Sequence, residues 1–277
     1  MIFLAAFVAI FLLLWLVVFA VGPAMERLLA RTAHWTAKFR YRDYLSVVVV
    51  LAAGIAATAL AGDAFLDIAE QVQGESPVLQ EIDGRTHEWA RFTRTGGSTA
   101  FFTTLTIIGT PVGLGALVAI ACAPLALGRR WRWIAYLLVT TGLGGLLNLQ
   151  LKALFARARP ELAEALRDAH GYSFPSGHAM GSAVTFGALA YLALRVLPRW
   201  RQRSAAIAFA CTMILAISAS RIYLGVHWIS DVGAGICAGV IWVVAATVAY
   251  ETMRRVRMVR ALRARRGVES GDSGGRP

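Results

Sequence analysis

The chain has 277 residues, of which 57% are hydrophobic, and its mean hydropathy is +0.60. This composition excludes a soluble domain of the same size, and the chain is too long for a single membrane anchor. The net charge is +12 at pH 7, but the arginines cluster in short segments between apolar runs, as orientation and anionic-lipid signals do, which argues against a nucleic-acid partner. We therefore expect an all-α, multi-pass transmembrane helical bundle.

The three cysteines give no sign of a metal site or a disulfide. Cys122, Cys211 and Cys237 all fall within apolar runs and show neither CxxC nor Cys/His spacing. They are interpreted as small core residues, and no metal site is expected.

The N-terminal stretch 2–22 is apolar and has about the length that a bilayer needs, roughly 20 residues. No basic residue precedes it, and the first positive charges, Arg27 and Arg31, follow it. This order predicts an uncleaved span with its N-terminus outside, although a signal peptide ending near 20–22 remains an alternative. The stretch 45–61 is the second predicted span, so residues 1–43 form a first unit of one helix and a basic cytoplasmic loop.

The segment 63–100 is the longest polar stretch of the chain. It holds seven acids against three arginines; the acids are Asp63, Asp67, Glu70, Glu75, Glu81, Asp83 and Glu88. Its apolar residues recur at roughly helical spacing, so part of it could lie along the membrane surface, but a solvated loop is the simpler interpretation. We assign no chemistry to these acids, and we expect His87 to be a surface histidine.

Five further spans are predicted, namely 101–127, 134–151, 176–197, 205–219 and 227–249. Gly109 and Pro111 offer a kink in the first of them. Asn148 and Gln150 are interpreted as interhelical hydrogen-bond donors, with support of a nearby site as the alternative. Most of the 28 basic residues fall in segments that this topology places inside, including the tail 251–277, whose end is predicted to be disordered.

The first polar motif is KALFARARP, residues 152–160. Lys152 and Arg159 lie two helical turns apart, so a continuing helix ended by Pro160 would place them on one face. A lysine and an arginine can together neutralise the oxygens of a phosphoryl group, while headgroup contact is the alternative. For Arg157, which lies off this pattern, we prefer the headgroup interpretation.

The second motif is PSGH, residues 175–178, where a loop turns into an apolar helix. Ser176 is a good helix N-cap, and Gly177 lets the backbone approach an anion closely. A simple helix cap with a nearby surface histidine, His178, is the alternative for this motif taken alone.

The third motif is SRIYLGVHWISD, residues 220–231. His227 and Asp231 are separated by one helical turn, so the carboxylate can hold one ring nitrogen and leave the other as a nucleophile. Arg221 adds a third cation. A histidine–aspartate pair at this spacing is often just a helix-surface hydrogen bond, so the motif alone is weak evidence.

The three motifs together read K-x6-RP, then PSGH, then SR-x5-H-x3-D, and the predicted topology places them on one, outer face. The combination resembles the signature of the type-2 phosphatidic acid phosphatase family, also called the lipid phosphate phosphatases, over roughly residues 100–245. Every motif position is filled, by Lys152, Arg159, Pro160, Pro175, Ser176, Gly177, His178, Ser220, Arg221, His227 and Asp231.

The resemblance implies a six-helix phosphatase core within residues 44–250, to which the N-terminal span would be an addition. It also implies a two-step hydrolysis that needs neither metal nor cofactor. His227 would attack phosphorus with Asp231 orienting it, and His178 would serve as acid and then base. The phosphoryl oxygens would be held by Lys152, Arg159, Ser176, Gly177 and Arg221.

The expected protein is thus a bacterial inner-membrane lipid phosphatase with its site facing the periplasm or exterior and its C-terminus in the cytoplasm. Its partners would be membrane lipids and a lipid phosphate substrate, for which undecaprenyl diphosphate, phosphatidylglycerol phosphate and phosphatidic acid all remain open. One alternative is a non-catalytic protein that binds or moves lipid phosphates. Another is a vanadate-dependent haloperoxidase on the same fold, which the apolar spans argue against.

Overall fold

The computed structural model describes residues 5, 7–21, 42–160, 166 and 171–272, and these residues form nine helices and no strand. The helices are α1 (Phe7–Val21), α2 (Arg42–Gln73), α3 (Pro77–Phe92), α4 (Gly96–Ile108), α5 (Pro111–Leu127), α6 (Trp131–Phe155), α7 (Gly177–Val196), α8 (Trp200–Tyr223) and α9 (Ile229–Asp272). The all-α architecture is confirmed.

Four helices are long and apolar enough to cross a bilayer, namely α6, α7, α8 and the part of α9 from Ile229 to Met258. A fifth candidate is the pair α4 and α5, which is bent by 59° at the break between them. Of the other two predicted spans, the described part of α1 is an apolar helix shorter than the roughly 20 residues that a bilayer needs. The second, 45–61, lies within α2, where side chains are described only from residue 52 onward, apart from residue 53.

The bend between α4 and α5 lies where Gly109 and Pro111 predicted a kink. Thr110 is the N-cap of α5, and its side-chain oxygen accepts a hydrogen bond from the Gly113 N–H at 3.0 Å. Pro111 opens the helix, where its missing N–H costs no hydrogen bond. Two helices with their own caps therefore replace one straight span.

The polar segment 63–100 is helical, and the expectation of a solvated loop is wrong. Helix α2 runs on to Gln73, and α3 follows after a short turn with Pro77 in its first turn. Asp83 and Ala90 are buried on α3, whereas most of the rest of the helix is exposed. The helical spacing of the apolar residues is therefore confirmed, and α3 turns one face to the protein.

The contact between α7 and α9 is close because of two glycines one turn apart on α9. A Cβ atom on Gly239 would lie 2.6 Å from the Cβ atom of Ala183, and one on Gly235 would lie 2.7 Å from the Ser176 carbonyl oxygen. Small residues at this spacing let two membrane helices approach closely. The contact brings the start of α9 against the start of α7, where the second and third motifs lie.

The two ends of the chain extend this core. On α1, Trp15 Nε1 donates to Ser204 Oγ of α8 at 3.0 Å, so the N-terminal helix packs on the bundle. Helix α9 continues through the basic segment to Asp272, including the first residues of the stretch 267–277 that was expected to be disordered. Residues 273–277 lie outside the described part of the chain.

Candidate active site

The three polar motifs meet at one end of the bundle, where α6 and α8 end and α7 and α9 begin. Two backbone hydrogen bonds tie them together: the Ser173 N–H donates to the Arg157 carbonyl at 2.9 Å, and the Ser176 N–H donates to the Asp231 carbonyl at 2.9 Å. The first and second motifs are thus joined to each other, and the second is joined to the third.

Asp231 and Ser173 surround one ring nitrogen of His227. The Nδ1 atom of His227 lies 3.4 Å from Asp231 Oδ2 and 3.4 Å from Ser173 Oγ. Asp231 Oδ2 also accepts hydrogen bonds from the Ser173 hydroxyl and, at 2.9 Å, from the Trp228 N–H. Both His227 and Asp231 are buried. The carboxylate is thus fixed where it can accept a proton shared with Nδ1, which leaves the lone pair on Nε2.

Burial keeps the His227 ring neutral. Desolvation is the largest influence and lowers the pKa of His227 to about 4, against an upward influence from the hydrogen bond and charge of Asp231. The charges of Arg159 and Arg221 lower this pKa further. At neutral pH the imidazole is therefore uncharged, as a nitrogen nucleophile must be.

Arg159 faces the other nitrogen of the same ring, with Nη1 at 3.3 Å from His227 Nε2. Its guanidinium also donates to the carbonyls of Val226 at 2.7 Å and Gly171 at 2.9 Å. Burial lowers the pKa of Arg159, and the Asp231 charge acts in the opposite direction. A positive charge consequently sits beside Nε2, the ring nitrogen that does not face Asp231.

Lys152 and Arg159 do converge, but they do not share a helix face as expected. Helix α6 ends at Phe155, because Ala156 adopts a left-handed conformation with φ of 44°. Arg159 lies beyond that end in an irregular segment. Both side chains reach the Tyr172 carbonyl oxygen, with donor distances of 2.5 Å for Lys152 Nζ and 3.3 Å for Arg159 Nη2.

The start of α7 presents an unused hydroxyl and a closely packed glycine. Ser176 is the N-cap residue, but its side chain makes no capping hydrogen bond, and its buried Oγ has no hydrogen-bond partner among the described residues. A Cβ atom on Gly177 would lie 2.9 Å from Asn148 Oδ1. Asn148 Nδ2 in turn contacts Met180 Sδ at 3.4 Å, so this amide joins α6 to α7 as expected, while Gln150 is exposed.

His178 and Arg221 complete the region from the side of α4. The buried Nε2 atom of His178 has no hydrogen-bond partner among the described residues. A Cβ atom on Gly109 would lie 2.9 Å from Cδ2 of the His178 ring, so the end of α4 packs directly on this histidine. Arg221 is buried and donates to Thr106 Oγ1 of α4.

Arg157 is not a headgroup residue, and the expectation of snorkelling is wrong. Its Nη1 atom lies 2.7 Å from Asp231 Oδ1, and its Nη2 atom lies 2.8 Å from Oδ2 of Asp83 on α3. Asp83 also accepts hydrogen bonds from the N–H and hydroxyl of Ser230. A buried chain of charges thus runs from α3 to Asp231.

Sequence reasoning gave Asp83 no role, and no motif spacing could have found it, because 74 positions separate it from Arg157. Ser173 lies two positions before the second motif, so its position was a usable signal. His87 is half-buried, with its ring centroid 5.7 Å from that of Trp228, rather than a surface histidine.

A cavity of about 750 Å³ lies beside this network. Its lining includes Asp83, Arg157, Arg159 and Trp228, together with polar residues from the end of α2 and the start of α3. Among the described residues, no group of three or more His, Cys, Asp or Glu side chains is gathered as metal ligands would be.

Part of the chain is similar in sequence to a known protein family and to one of its characterised relatives. A family model described as the PAP2 superfamily matches residues 133–255. Phosphatidylglycerophosphatase B of Bacillus subtilis (strain 168) is 33% identical over 141 residues, which cover 50% of this chain and 68% of that protein.

Two solved structures are also similar. The crystal structure of the first transmembrane PAP2 type phosphatidylglycerolphosphate phosphatase, from Bacillus subtilis, matches with a TM-score of 0.65 and 26% identity, covering 69% of this chain and 94% of that one. The crystal structure of Aquifex aeolicus LpxE matches with a TM-score of 0.46 and 25% identity, covering 58% of this chain and 92% of that one.

Proposed function

This chain belongs to the PAP2 superfamily and is a multi-pass membrane protein of the lipid phosphate phosphatase class; from this premise we propose that it removes a terminal phosphoryl group through a phosphohistidine intermediate formed on His227. The observation that carries the proposal is the environment of that ring. Its Nδ1 side faces Asp231 and Ser173, and its Nε2 side faces the guanidinium of Arg159. A phosphoryl group bound to Arg159 would thus lie next to the available lone pair.

In the first step, His227 Nε2 attacks phosphorus and the bond from phosphorus to the leaving oxygen breaks. His178, in its protonated form, gives a proton to that oxygen and becomes neutral, and the oxygen leaves as an alcohol or, from a diphosphate, as a lipid monophosphate. The imidazolium formed on His227 is stabilised by Asp231, which shares the Nδ1 proton.

In the second step, His178 takes a proton from water, and the resulting hydroxide attacks the phosphohistidine. The phosphorus–nitrogen bond breaks, inorganic phosphate is released, and His227 returns to its neutral form. The buried Nε2 atom of His178, which has no hydrogen-bond partner among the described residues, supports this double use.

The phosphoryl oxygens would be held by Lys152, Arg159, Arg221, the Ser176 hydroxyl and the Gly177 N–H. Three cations can offset the charge that spreads over these oxygens in the transition state. The hydroxyl of Ser176 is buried without a partner among the described residues, which suits an anion ligand. We propose that the protein's own side chains carry the chemistry without a metal ion.

We propose phosphatidylglycerol phosphate as the first substrate to test, because a B. subtilis relative 33% identical to this chain is named phosphatidylglycerophosphatase B. Undecaprenyl diphosphate and phosphatidic acid present the same kind of terminal phosphoryl group and belong in the same assay. We also propose that the site faces the periplasm or exterior of a bacterial cell, because most basic segments lie towards the opposite ends of the spans.

The test is phosphate release by the purified protein in detergent, with a chelator present, from each of the three lipids. We expect wild-type turnover with chelator, loss of turnover in His227→Ala and His178→Ala, and an acid-labile radiolabelled phosphoenzyme in the wild type that is absent from His227→Ala. Thermal unfolding of each variant controls for folding. Release by His227→Ala at the wild-type rate would refute the mechanism.

A further inference from the structure

A second cavity lies far from the active site, in a groove between α6 and α9. Its volume is about 410 Å³, within the range of roughly 300–1,000 Å³ that is usual for small-molecule sites. The α6 wall includes Val139 and Leu143, and the α9 wall includes Trp242 and Ala246. Both walls belong to candidate membrane-spanning helices, and Val139 and Leu143 of the lining are exposed.

One end of this groove is basic. Arg132 from α6 and Arg254 and Arg257 from α9 line the cavity at that end. Arg132 precedes Lys152 by 20 residues on the same helix, and Arg257 follows Asp231 by 26 residues. At 1.5 Å per residue these spacings correspond to about 30 Å and about 39 Å, which is the thickness of a bilayer core or slightly more. The basic end therefore lies at the membrane boundary opposite the active site.

The charges at this end are not balanced by the protein groups described. Glu251 accepts hydrogen bonds from Arg254 at 2.6 and 2.9 Å and from Arg255 at 2.8 Å, so its single negative charge is already shared by two arginines. Arg132 and Arg257 are exposed, and within the described ranges neither makes an ion pair. Arg132 and Arg257, which make no ion pair within the described residues, lie at the mouth of an apolar groove and match a ligand with an anionic head and an apolar tail.

We propose that this groove binds an anionic phospholipid of the inner leaflet, with its phosphodiester held by Arg132 and Arg257 and one acyl chain lying along the groove towards Leu143 and Trp242. The bound lipid joins α6 to α9, the helices that carry Lys152 and Asp231 at their other ends. Because it binds the folded state, it stabilises the protein by mass action. The site is separate from the catalytic one, so it holds whichever lipid is hydrolysed.

Native mass spectrometry and thermal unfolding in detergent test this, with dioleoylphosphatidylglycerol, dioleoylphosphatidylcholine and glycerol phosphate as probes. The wild type should retain the phosphatidylglycerol and unfold at a higher temperature with it, with much smaller effects from the other two. Arg132→Gln/Arg257→Gln should weaken this binding by about tenfold or more, which corresponds to the loss of about 1.4 kcal/mol. The matched control is Arg129→Gln/Arg130→Gln, which removes the same charge from the same boundary but lies outside the groove lining.

A further variant tests the contribution of the apolar groove to lipid binding separately from that of the arginines. Ala246→Phe narrows the cavity and leaves the three arginines in place, so it should also reduce phosphatidylglycerol retention. Equal losses in the two charge variants, or full retention in Arg132→Gln/Arg257→Gln, would overturn the proposal. Stabilisation by glycerol phosphate equal to that by the lipid would show a free-phosphate site instead. Since binding is measured without turnover, these results are independent of the proposed phosphatase reaction.

Discussion

Replacing Arg157 with glutamine removes the positive charge between two buried carboxylates. The guanidinium lies 2.8 Å from Asp83 Oδ2 and 2.7 Å from Asp231 Oδ1. The Arg157 side chain is 17% exposed, while those of Asp83 and Asp231 are 3% and 0% exposed. Glutamine keeps one amide donor group but no charge, so both carboxylates lose their shared counter-ion.

The expected cost follows from this burial. Removing one partner of a buried ion pair usually destabilises a protein by about 3–5 kcal/mol, because an uncompensated charge is left behind. Here each carboxylate keeps neutral donors: Asp83 keeps the N–H and hydroxyl of Ser230, and Asp231 keeps the Ser173 hydroxyl. We therefore expect the lower end of the range, about 3 kcal/mol. Activity should fall as well, by about tenfold if the displaced Asp231 costs 1.4 kcal/mol in positioning His227.

A double-mutant cycle with Asp83→Asn measures the coupling directly. The double variant should be less destabilised than the sum of the single variants by at least about 1 kcal/mol, because each single change leaves a buried partner unsatisfied. Arg85→Gln on the same helix as Asp83 is the control, since its pair with Glu81 is exposed and should be worth about 0–1 kcal/mol. Unfolding in detergent, followed by temperature or denaturant, gives the free energies. If Arg157→Gln unfolds like Arg85→Gln and keeps full activity, the buried network does not support the site.

Three further predictions concern the site and the packing beneath it. The pKa of His227 is near 6.5 in the unfolded chain and about 4 in the native state, so its contribution to stability is fully present above pH 6.5 and is lost as the pH falls towards 4. From pH 7 to about pH 5, the free energy of unfolding of the wild type should therefore fall by roughly 2 kcal/mol more than that of His227→Ala. Equal losses in the two proteins would contradict the buried, neutral imidazole. Gly177→Ala should lower kcat/KM for a lipid phosphate, because its new Cβ atom would lie 2.9 Å from Asn148 Oδ1. The control is Gly62→Ala, whose Cβ atom would have no other atom within 4 Å. Identical kinetics for the two variants would refute this reasoning. Gly239→Ala should destabilise the protein by about 1–3 kcal/mol, because its new Cβ atom overpacks against Ala183. Gly145→Ala, whose Cβ atom would have no other atom within 4 Å, should leave the stability unchanged. Thermal unfolding of the two variants makes the comparison.

The architecture and the family were accessible from the sequence because both rest on local patterns. Apolar runs of bilayer length predict membrane helices, since no unpaired backbone group is tolerated in lipid. The motif residues are equally local: His227 and Asp231 are four positions apart, although His227 lies just before α9 rather than on it, and Gly109 and Pro111 mark the bend between α4 and α5 within three positions. Such short spacings determine geometry almost independently of the rest of the chain.

The tertiary structure alone decided which polar side chains are buried together. Asp83 lies in an acidic segment that reads as solvent-exposed, yet the docking of α3 places it 2.8 Å from Arg157, 74 positions away. Likewise, Arg159 reaches His227 because α6 ends at Ala156 and the chain turns back, rather than because a helix continues. The same two arginines in sequence could have faced lipid headgroups, because a charge alone does not specify its partner. Helix packing, set by close contacts such as Gly239 against Ala183, supplies that partner.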